Sequence, residues 1–457
     1  MRTIGRYNIR GLLGRGLMAR VYKVSLPVIG KIAALKLLDP DDMLAAVMGR
    51  RKLRDRFISE ARTMASLNHG NIVAVHDFDL DHDTPFYVMD FFPGNLGGMI
   101  GESYRIENPS RTIDTDKALD YTRQTLSGLA CLHDAGIIHR DIKPFNLLIT
   151  AQDTVQIGDF GMSRLRGETF GGPDNLRVGS PFYVAPEQEH SPDAAGPAAD
   201  LYAVGVMFYR MLTGRLPALD IRYGAYHPPA RLNPDLDDAW DGFLSRALDP
   251  TPGSRFAGAP EMIEALDELR GHWERNKERI CRLREPEPAP NDTKAAVSPR
   301  SSPVKMRPAE ARDVFGLGSL WRPQRYVVNE LSLLSGGVVA DRATGLVWQQ
   351  SGSACPRDRD SAFEYVARLR ENRFGGYENW RLPTINELIT LLRPPPRIRD
   401  LCMDPMFDPT QRWIWSADRR SFIAAYYVDT VLGFVGWQDF SAPFHVRAVC
   451  SASPPFT

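Results

Sequence analysis

At 457 residues, the chain is too long for a single ordinary core and suits two or three domains. Its 56 lysine and arginine residues balance 56 aspartate and glutamate residues, so bulk charge gives no reason to expect nucleic acid or an anionic membrane as a partner. No apolar run reaches the roughly 18 to 20 residues that span a bilayer, and the N-terminal stretch lacks the apolar core of a signal peptide. We therefore expect a cytoplasmic protein without a membrane span.

The first motif in chain order is a glycine-rich turn between two predicted strands, within Gly11–Tyr22. Gly14 and Gly16 have no side chain, so backbone amides in this turn can approach a phosphate closely. Ala19 stands at the position where a third glycine is usual, which weakens the motif. Glycine turns are common, so this motif is informative only together with the elements that come after it in the chain.

Three predicted elements come after the turn. Ala33–Lys36 is an apolar strand that ends on a lysine, and Phe86–Phe92 is a second, more aromatic strand. Between them, Arg56–Met64 has the periodicity of an amphipathic helix and places Glu60 near its inward face. A lysine at a strand end or a glutamate on a helix is ordinarily exposed to solvent. The importance of Lys36 and Glu60 therefore depends on the motifs further along the chain.

The most specific motif is His139–Asn146, followed by Asp159–Gly161. Phosphoryl transfer from ATP needs a carboxylate beside the attacking hydroxyl and oxygen ligands for a divalent metal ion. Asp141, Asn146 and Asp159 supply these groups at the spacing of the catalytic and metal loops of protein kinases.

On these motifs, the first part of the chain resembles a bacterial eukaryotic-like serine/threonine protein kinase. The resemblance implies a two-lobed protein kinase fold over residues 7–273, with an N-lobe over about 7–92 and a C-lobe over about 93–273. It also implies that the cofactors are ATP and Mg²⁺ or Mn²⁺, and that the substrates are protein serine and threonine residues.

The same resemblance implies which residues surround the nucleotide. Lys36 would hold the α- and β-phosphates and pair with Glu60, and Met89 would lie behind the adenine. Val21 and Ala34 would line the adenine pocket, and hinge backbone groups would meet the base. The residues expected to bind ATP are Gly14, Gly16, Val21, Ala34, Lys36, Met89, Asp90 and Phe92.

In the predicted catalytic loop, Asp141 would accept or orient the proton of the substrate hydroxyl, and Lys143 would neutralise the transferring phosphoryl group. A lysine two residues after the aspartate is the form found in serine/threonine kinases. Asn146 and Asp159 would ligate the metal. The expected catalytic residues are therefore Asp141, Lys143, Lys36 and Glu60, and the expected metal ligands are Asn146 and Asp159.

The segment after Asp159 corresponds to an activation loop, in which Thr169 is the hydroxyl that we expect to be autophosphorylated. Glu187 should form a buried salt bridge with Arg255, and Asp200 should hold the backbone of the catalytic loop. The alternative is a pseudokinase that binds nucleotide and partners without catalysis. Such proteins usually lack the lysine, the catalytic aspartate or the metal aspartate, and all three are present here.

The composition changes after the predicted kinase domain. Residues 285–313 are rich in proline and polar residues, which predicts a Pro-rich flexible linker. Residues 326–451 contain short strand-like runs, a helical pattern at Phe363–Leu369 and a predicted capping box between Thr384 and Glu387. These patterns predict a second compact α+β domain, in which most tryptophans pack in the core.

The motifs of this second domain begin at Asp341–Trp348, are densest over Gly375–Leu388 and end at His445–Val449. They resemble a domain known from the C-terminus of a bacterial collagen-like adhesin, related in fold to C-type lectins and formylglycine-generating enzymes. The resemblance implies a C-type-lectin-like domain, which makes the whole chain an α+β multidomain protein. Formylglycine-generating enzymes use a reactive cysteine pair, but the cysteines here are isolated in sequence. We therefore expect a recognition domain whose ligand, a protein or a small molecule, is left open.

Overall fold

The computed structural model describes residues 2–16, 18–102, 108–150, 152–159, 164–165, 182–190, 195–217, 226–283, 298–394 and 402–451. They fall into two compact units, Met1–Ile280 and Cys281–Thr457. Within the described ranges, no helix is both long enough and apolar enough to cross a membrane.

The first unit begins with a six-stranded antiparallel sheet in the order β1-β2-β3-β4-β6-β5. The strands are β1 (Thr3–Ile4), β2 (Tyr7–Arg15), β3 (Ala19–Ser25), β4 (Ile32–Leu38), β5 (Val75–Asp81) and β6 (Thr84–Asp90). The register sets Val21 opposite Lys36, and Lys36 opposite Tyr87. Directly opposed residues of an antiparallel pair point to the same face, so these three side chains share one face of the sheet.

Two helices follow β4, namely α1 (Asp42–Met48) and α2 (Arg50–Ser66). They are separated by Gly49, whose φ of +82° is a conformation that residues with a Cβ rarely adopt. The buried residues of α2 recur at three- and four-residue spacing and are Leu53, Phe57, Glu60, Ala61 and Met64. The helix predicted at Arg56–Met64 is therefore confirmed, and it begins earlier. Its apolar face carries one charged residue, Glu60.

The remainder of the first unit is mainly helical. Its helices are α3 (Leu96–Ile100), α4 (Thr115–Asp134), α5 (Pro186–His190), α6 (Pro197–Thr213), α7 (Pro229–Leu232), α8 (Asp238–Ala247) and α9 (Ala259–Leu283). Its short strands are β7 (Gly94–Asn95), β8 (Ile137–Ile138), β9 (Leu147–Ile149), β10 (Val155–Ile157) and β11 (Arg164–Leu165). Every residue of α6 from Ala199 to Leu212 is buried, and all of them except Asp200 and Arg210 are uncharged, as expected of a helix that is surrounded by protein. The sheet-rich start and the helical remainder agree with the predicted two-lobed arrangement.

The second unit contains two antiparallel sheets, in the orders β12-β13-β14-β18 and β15-β16-β17. The strands are β12 (Leu331–Leu334), β13 (Val338–Asp341), β14 (Leu346–Gln349), β15 (Trp413–Arg419), β16 (Ala424–Asp429), β17 (Phe434–Asp439) and β18 (Val449–Ser451). The helices are α10 (Pro308–Val314), α11 (Arg359–Glu371) and α12 (Ile385–Leu388). The α+β composition predicted for this region is confirmed, and the helical pattern at Phe363–Leu369 lies within α11.

Tryptophans form much of the core of the second unit. Trp348 packs in one apolar cluster, and Trp380 and Trp415 pack in another. The capping box at the start of α12 is present, because Thr384 accepts from the backbone of Glu387 while the Glu387 carboxylate accepts from the backbone of Thr384. The capping box was readable from the sequence because it depends on two residues only three positions apart.

The cysteine side chains that the structure describes, at positions 131, 355, 402 and 450, are free. Cys402 and Cys450 are buried, and burial raises the pKa of each thiol to about 12. Both therefore stay protonated near neutral pH, and a protonated thiol is a poor nucleophile.

The predicted mobile linker was wrong for residues 298–313. Arg300 donates to both oxygens of the buried Asp418 carboxylate, at 3.0 and 2.8 Å, and the backbone of Val304 donates to it at 2.8 Å. Met306 packs against the core of the second unit, and the helix at Pro308–Val314 buries Ala311 completely. Residues 285–297 lie outside the described residues.

The reason for this error is that composition measures whether a segment can build a core of its own. Here a few apolar side chains of the segment pack into a core that the later strands already form. The segment is therefore held in place although it buries little apolar surface of its own. Phe315 and Leu317 also belong to that core, so the second unit begins before its predicted start at residue 326.

Arg300→Ala should destabilise the second unit by about 2 to 3 kcal/mol, because it leaves the Asp418 carboxylate buried with only backbone donors. Urea unfolding of the full chain, followed by tryptophan fluorescence, measures this, because six of the eight tryptophans lie in the second unit. Arg312→Ala, at an exposed arginine of the same segment, is the matched control and should change the midpoint little. Equal effects of the two substitutions would contradict the packing role of Arg300.

Candidate active site

The glycine-rich turn joins β2 to β3. Gly14 lies opposite Val21 in the strand register, and the backbone nitrogen of Gly16 donates to the carbonyl oxygen of Ala19 at 2.9 Å. A Cβ built on Gly14 would meet no atom within 4 Å, so the space beside this glycine is open. The turn therefore leaves room for a ligand to approach its backbone.

The side chains predicted to line the nucleotide pocket share one face of the sheet. Ala34 lies opposite Met89, and Lys36, two residues after Ala34 on the same strand, lies opposite Val21. Asp90 is on the alternate face, where its carboxylate lies 2.9 Å from His76 and 3.6 Å from Lys31. Its side chain is therefore turned away from the Met89 face. The chain leaves the sheet at this point, two residues before Phe92.

Lys36 is the centre of a buried ionic network. Its Nζ lies 2.8 Å from Oε1 of Glu60 and 2.9 Å from Oδ1 of Asp159. The Lys36 and Glu60 side chains are 7% and 2% exposed, whereas that of Asp159 is 54% exposed. The predicted pair of Lys36 and Glu60 is thus formed, and Asp159 joins it from a distant part of the sequence.

Electrostatics keep Lys36 and Asp159 charged. Burial by itself would lower the pKa of Lys36, but the carboxylates of Asp159 and Glu60 outweigh it and raise that pKa well above its ordinary value. In return, the Lys36 ammonium lowers the pKa of Asp159 to about 2. Asp159 is therefore an anion near neutral pH, as a metal ligand must be.

The catalytic loop follows β8. Lys143 Nζ lies 2.6 Å from Oδ2 of Asp141, and Nδ2 of Asn146 donates to the same oxygen at 3.1 Å and to the Asp141 carbonyl at 2.8 Å. A short 3-10 helix, Pro144–Asn146, brings Asn146 back toward Asp141. The other carboxylate oxygen, Oδ1, is buried and has no hydrogen-bond partner among the residues that the structure describes. One oxygen of Asp141 is thus held, and the other is available as an acceptor.

Asp200 of α6 holds the backbone of the catalytic loop, as predicted. Its carboxylate accepts from the backbone nitrogens of His139 at 2.9 Å and Arg140 at 2.7 Å. Arg140 has a φ of +70°, a strained conformation for a residue with a Cβ, and these bonds help to hold it. His139 is fully buried, and its Nε2 lies 3.2 Å from the carbonyl oxygen of Gly158, just before Asp159.

The pair predicted between Glu187 and Arg255 is also present. The two terminal guanidinium nitrogens of Arg255, Nη1 and Nη2, each lie 2.8 Å from an oxygen of the Glu187 carboxylate. Nη1 also donates to the carbonyl oxygen of Ala198 at 3.0 Å. The Arg255 side chain is completely buried, so the pair anchors the end of the activation segment against α6. Thr169 and most of that segment lie outside the described residues.

The donor set for a metal fits Mg²⁺ or Mn²⁺, which prefer oxygen ligands. The amide nitrogen of Asn146 is engaged by Asp141, which leaves the amide oxygen as a ligand. Asp159 keeps an ionised carboxylate that is half exposed. Elsewhere in the described ranges, no group of three or more His, Cys, Asp or Glu residues forms a rival site.

Two contacts of this site were not predicted. The hydroxyl of Tyr87 donates to Oε1 of Glu60 at 2.9 Å, and Nε2 of His133 lies 2.9 Å from Oδ2 of Asp200. A partial signal existed for Tyr87, because it lies two residues before Met89 on the same strand and so faces the same side. For His133 the sequence carried no signal that we recognise.

Two family models match parts of the chain. Residues 7–228 match the family model described as the protein kinase domain, and residues 337–450 match the one described as the Lcl C-terminal domain.

Curated relatives point to the same class. The chain is similar to serine/threonine-protein kinase PksC of Streptomyces coelicolor, with 37% identity over 277 residues, covering 56% of this chain and 48% of the relative. It is 31% identical over 272 residues to probable serine/threonine-protein kinase PknB of Lactococcus lactis, covering 56% of this chain and 41% of the relative. It is 29% identical over 270 residues to serine/threonine-protein kinase PrkC of Bacillus subtilis, covering 57% and 40%. The chain thus spans less than half the length of each of these relatives.

Asp159 should contribute to the acid sensitivity of the first unit. Its pKa is about 2 in the folded protein, against about 3.9 for an unfolded aspartate. The stabilisation is therefore complete above about pH 4 and is lost as the pH falls toward 2. When the pH is lowered from about 5 to about 3, the free energy of unfolding of Asp159→Asn should fall less than that of wild type. Urea unfolding midpoints at each pH measure this.

The control for this prediction is Asp267→Asn, at a half-exposed aspartate that pairs with Arg123 on the helical surface. It should follow the wild-type dependence on pH. If Asp159→Asn also follows it, the ion pair with Lys36 does not contribute to folding stability.

Proposed function

We propose that the first unit transfers the γ-phosphoryl group of ATP to serine and threonine hydroxyls of proteins. The observation that best supports this is the pairing of Lys36 with both Glu60 and Asp159, beside an Asp141 carboxylate with one oxygen held and one free to accept. These are the groups needed to hold a triphosphate, ligate a metal and receive a proton.

Asp141 acts on the substrate hydroxyl. The hydroxyl donates to Oδ1, and its proton passes to that oxygen as the hydroxyl oxygen bonds to the γ-phosphorus, while the bond between that phosphorus and the bridging oxygen of ATP breaks and ADP leaves. Lys143 and Asn146 hold Oδ2, so the carboxylate cannot rotate away from the hydroxyl. The Lys143 ammonium also offsets negative charge on the transferring group.

Asn146 and Asp159 would hold Mg²⁺, which when bound would neutralise charge on the phosphate oxygens. Mn²⁺ has the same preference for oxygen ligands, so both ions should support activity. The residues that would bind ATP are Val21, Ala34 and Met89 on one face of the sheet, together with the glycine turn at Gly14 and Gly16. The backbone of Asp90 and Phe92 meets the adenine. Thr169 is the proposed site of autophosphorylation.

The choice of serine and threonine over tyrosine rests on Lys143 and on the names of the relatives, which are serine/threonine-protein kinases. A pseudokinase usually lacks one of the charged groups of this site. Here the Lys36–Glu60 pair is formed and Asp141 and Asp159 are both present, so no observation favours that alternative.

Asp141→Asn should reduce magnesium-dependent self-labelling from radioactive ATP by about 10² to 10⁴-fold, because it removes the proton acceptor. Lys36→Met and Asp159→Asn should reduce it comparably, and phosphoamino-acid analysis of the wild type should give phosphoserine or phosphothreonine. Asp267→Asn should label like wild type. Labelling that survives all three site substitutions would contradict the proposed function.

We also propose that the second unit is a C-type-lectin-like recognition domain that binds a protein or a small ligand and directs the kinase to its substrates. Its two antiparallel sheets and the match to the Lcl C-terminal domain support this. The buried Cys402 and Cys450 thiols, each with a pKa of about 12, are unsuited to the cysteine chemistry of formylglycine-generating enzymes. Recognition is therefore favoured over that cysteine chemistry.

A chain that ends after residue 297 should phosphorylate fewer proteins in a cell lysate, with the kcat/KM for ATP unchanged within about twofold, because linked recognition raises the effective concentration of substrate. The measurement is a comparison of labelled proteins by mass spectrometry. Adding the second unit as a separate chain should not restore the lost substrates. An unchanged set of labelled proteins would remove the proposal for the second unit.

A further inference from the structure

Tyr87 is a buried tyrosine whose hydroxyl reaches the ionic network of the kinase site. It is 1% exposed, and its hydroxyl donates to Oε1 of Glu60 at 2.9 Å. Lys36 contacts the same oxygen at 2.8 Å. The second carboxylate oxygen of Glu60, Oε2, is buried and has no hydrogen-bond partner among the described residues. Among those residues, the orientation of the carboxylate thus depends on two donors that converge on one oxygen.

Tyr87 also connects the sheet to helix α2 through its ring. It lies on β6 directly opposite Lys36 of β4, so the two side chains extend from the same face. The ring packs against Phe57 of α2, with centroids 5.2 Å apart. Phe57 precedes Glu60 by about one helical turn. One side chain therefore holds α2 at two neighbouring points, by an apolar contact and by a hydrogen bond.

The hydroxyl is suited to hold Glu60 while Lys36 is engaged elsewhere. Burial, and then the charge of Glu60, raise the pKa of Tyr87 well above its ordinary value, so the hydroxyl remains a neutral donor near neutral pH. Lys36 is already shared between Glu60 and Asp159. A bound triphosphate would compete for the same ammonium, and Glu60 would then depend more on its other donor.

We propose that Tyr87 is a positioning residue for phosphoryl transfer, whose hydroxyl holds the Glu60 carboxylate where it keeps Lys36 beside the nucleotide phosphates. The inference rests on the kinase activity proposed above. Without the hydroxyl, Glu60 keeps one of the two donors that it has among the described residues, and α2 loses a bond to the sheet. Lys36 is then held less well for the phosphates, so ATP binds more weakly.

The test is Tyr87→Phe in the full chain, which removes the hydroxyl and keeps the ring. The KM for ATP should rise about fivefold to tenfold, with a smaller change in kcat, as expected for the loss of one hydrogen bond to a charged group. Tyr7→Phe is the matched control, because Tyr7 is also buried in this sheet and also donates its hydroxyl to a carboxylate, that of Asp77. The control should leave the KM for ATP unchanged.

Two further variants separate positioning from packing. Phe57→Leu thins the packing against the same ring but keeps the hydroxyl, so it should leave the KM for ATP within about twofold. Glu60→Gln removes the carboxylate charge that the Tyr87 hydroxyl is proposed to hold. The double variant with Tyr87→Phe should therefore have nearly the same KM for ATP as Glu60→Gln alone.

The results expected above support the proposal. It is overturned if Tyr87→Phe has the KM of wild type, or if its effect adds fully to that of Glu60→Gln. It is also overturned if Phe57→Leu raises the KM as much as Tyr87→Phe, or if Tyr87→Phe does not fold, because the role is then structural. If the proposed kinase activity itself were wrong, the result would be different, because the wild type would then label itself no better than Asp141→Asn.

Discussion

The buried ammonium of Lys36 is the constraint on which the first unit depends. A charged group removed from water is strongly unfavourable unless it is paired and hydrogen-bonded. Lys36 comes from a strand, Glu60 from a helix and Asp159 from the segment after β10, so the charge is compensated only when all three elements are in place. The same interaction that organises the fold also brings together the groups that a triphosphate and a metal ion require.

A second buried charge plays the corresponding part in the helical region. Asp200 lies on the buried part of helix α6 and accepts from two consecutive backbone nitrogens of the catalytic loop. Those bonds compensate the strained backbone of Arg140 and thereby set where Asp141 points. Lys143 and Asn146 then hold the Asp141 carboxylate at one of its two oxygens, Oδ2. A rigid helix thus determines the orientation of a reactive loop.

The second unit also contains a buried carboxylate that is compensated by hydrogen bonds, and there its role is structural. The buried Asp418 carboxylate receives donors from Arg300, from the backbone of Val304 and from the backbone of Ile385 at the start of α12. A carboxylate on one strand therefore joins the proline-rich segment to a helix much later in the chain. Composition predicted that this segment would be mobile, because composition contains no information about a distant carboxylate.

The sequence by itself determined the features that depend on neighbouring residues. The spacing from Asp141 to Asn146, the alternation that sets Ala34 and Lys36 on one face, and the capping box at Thr384 all arise from local geometry. The tertiary structure alone decided which side chains meet across long stretches of chain. Tyr87 reaches Glu60, His133 reaches Asp200 and Arg300 reaches Asp418 because strand register and helix packing bring their elements together. Those arrangements arise from burial summed over the whole unit, which no single motif encodes.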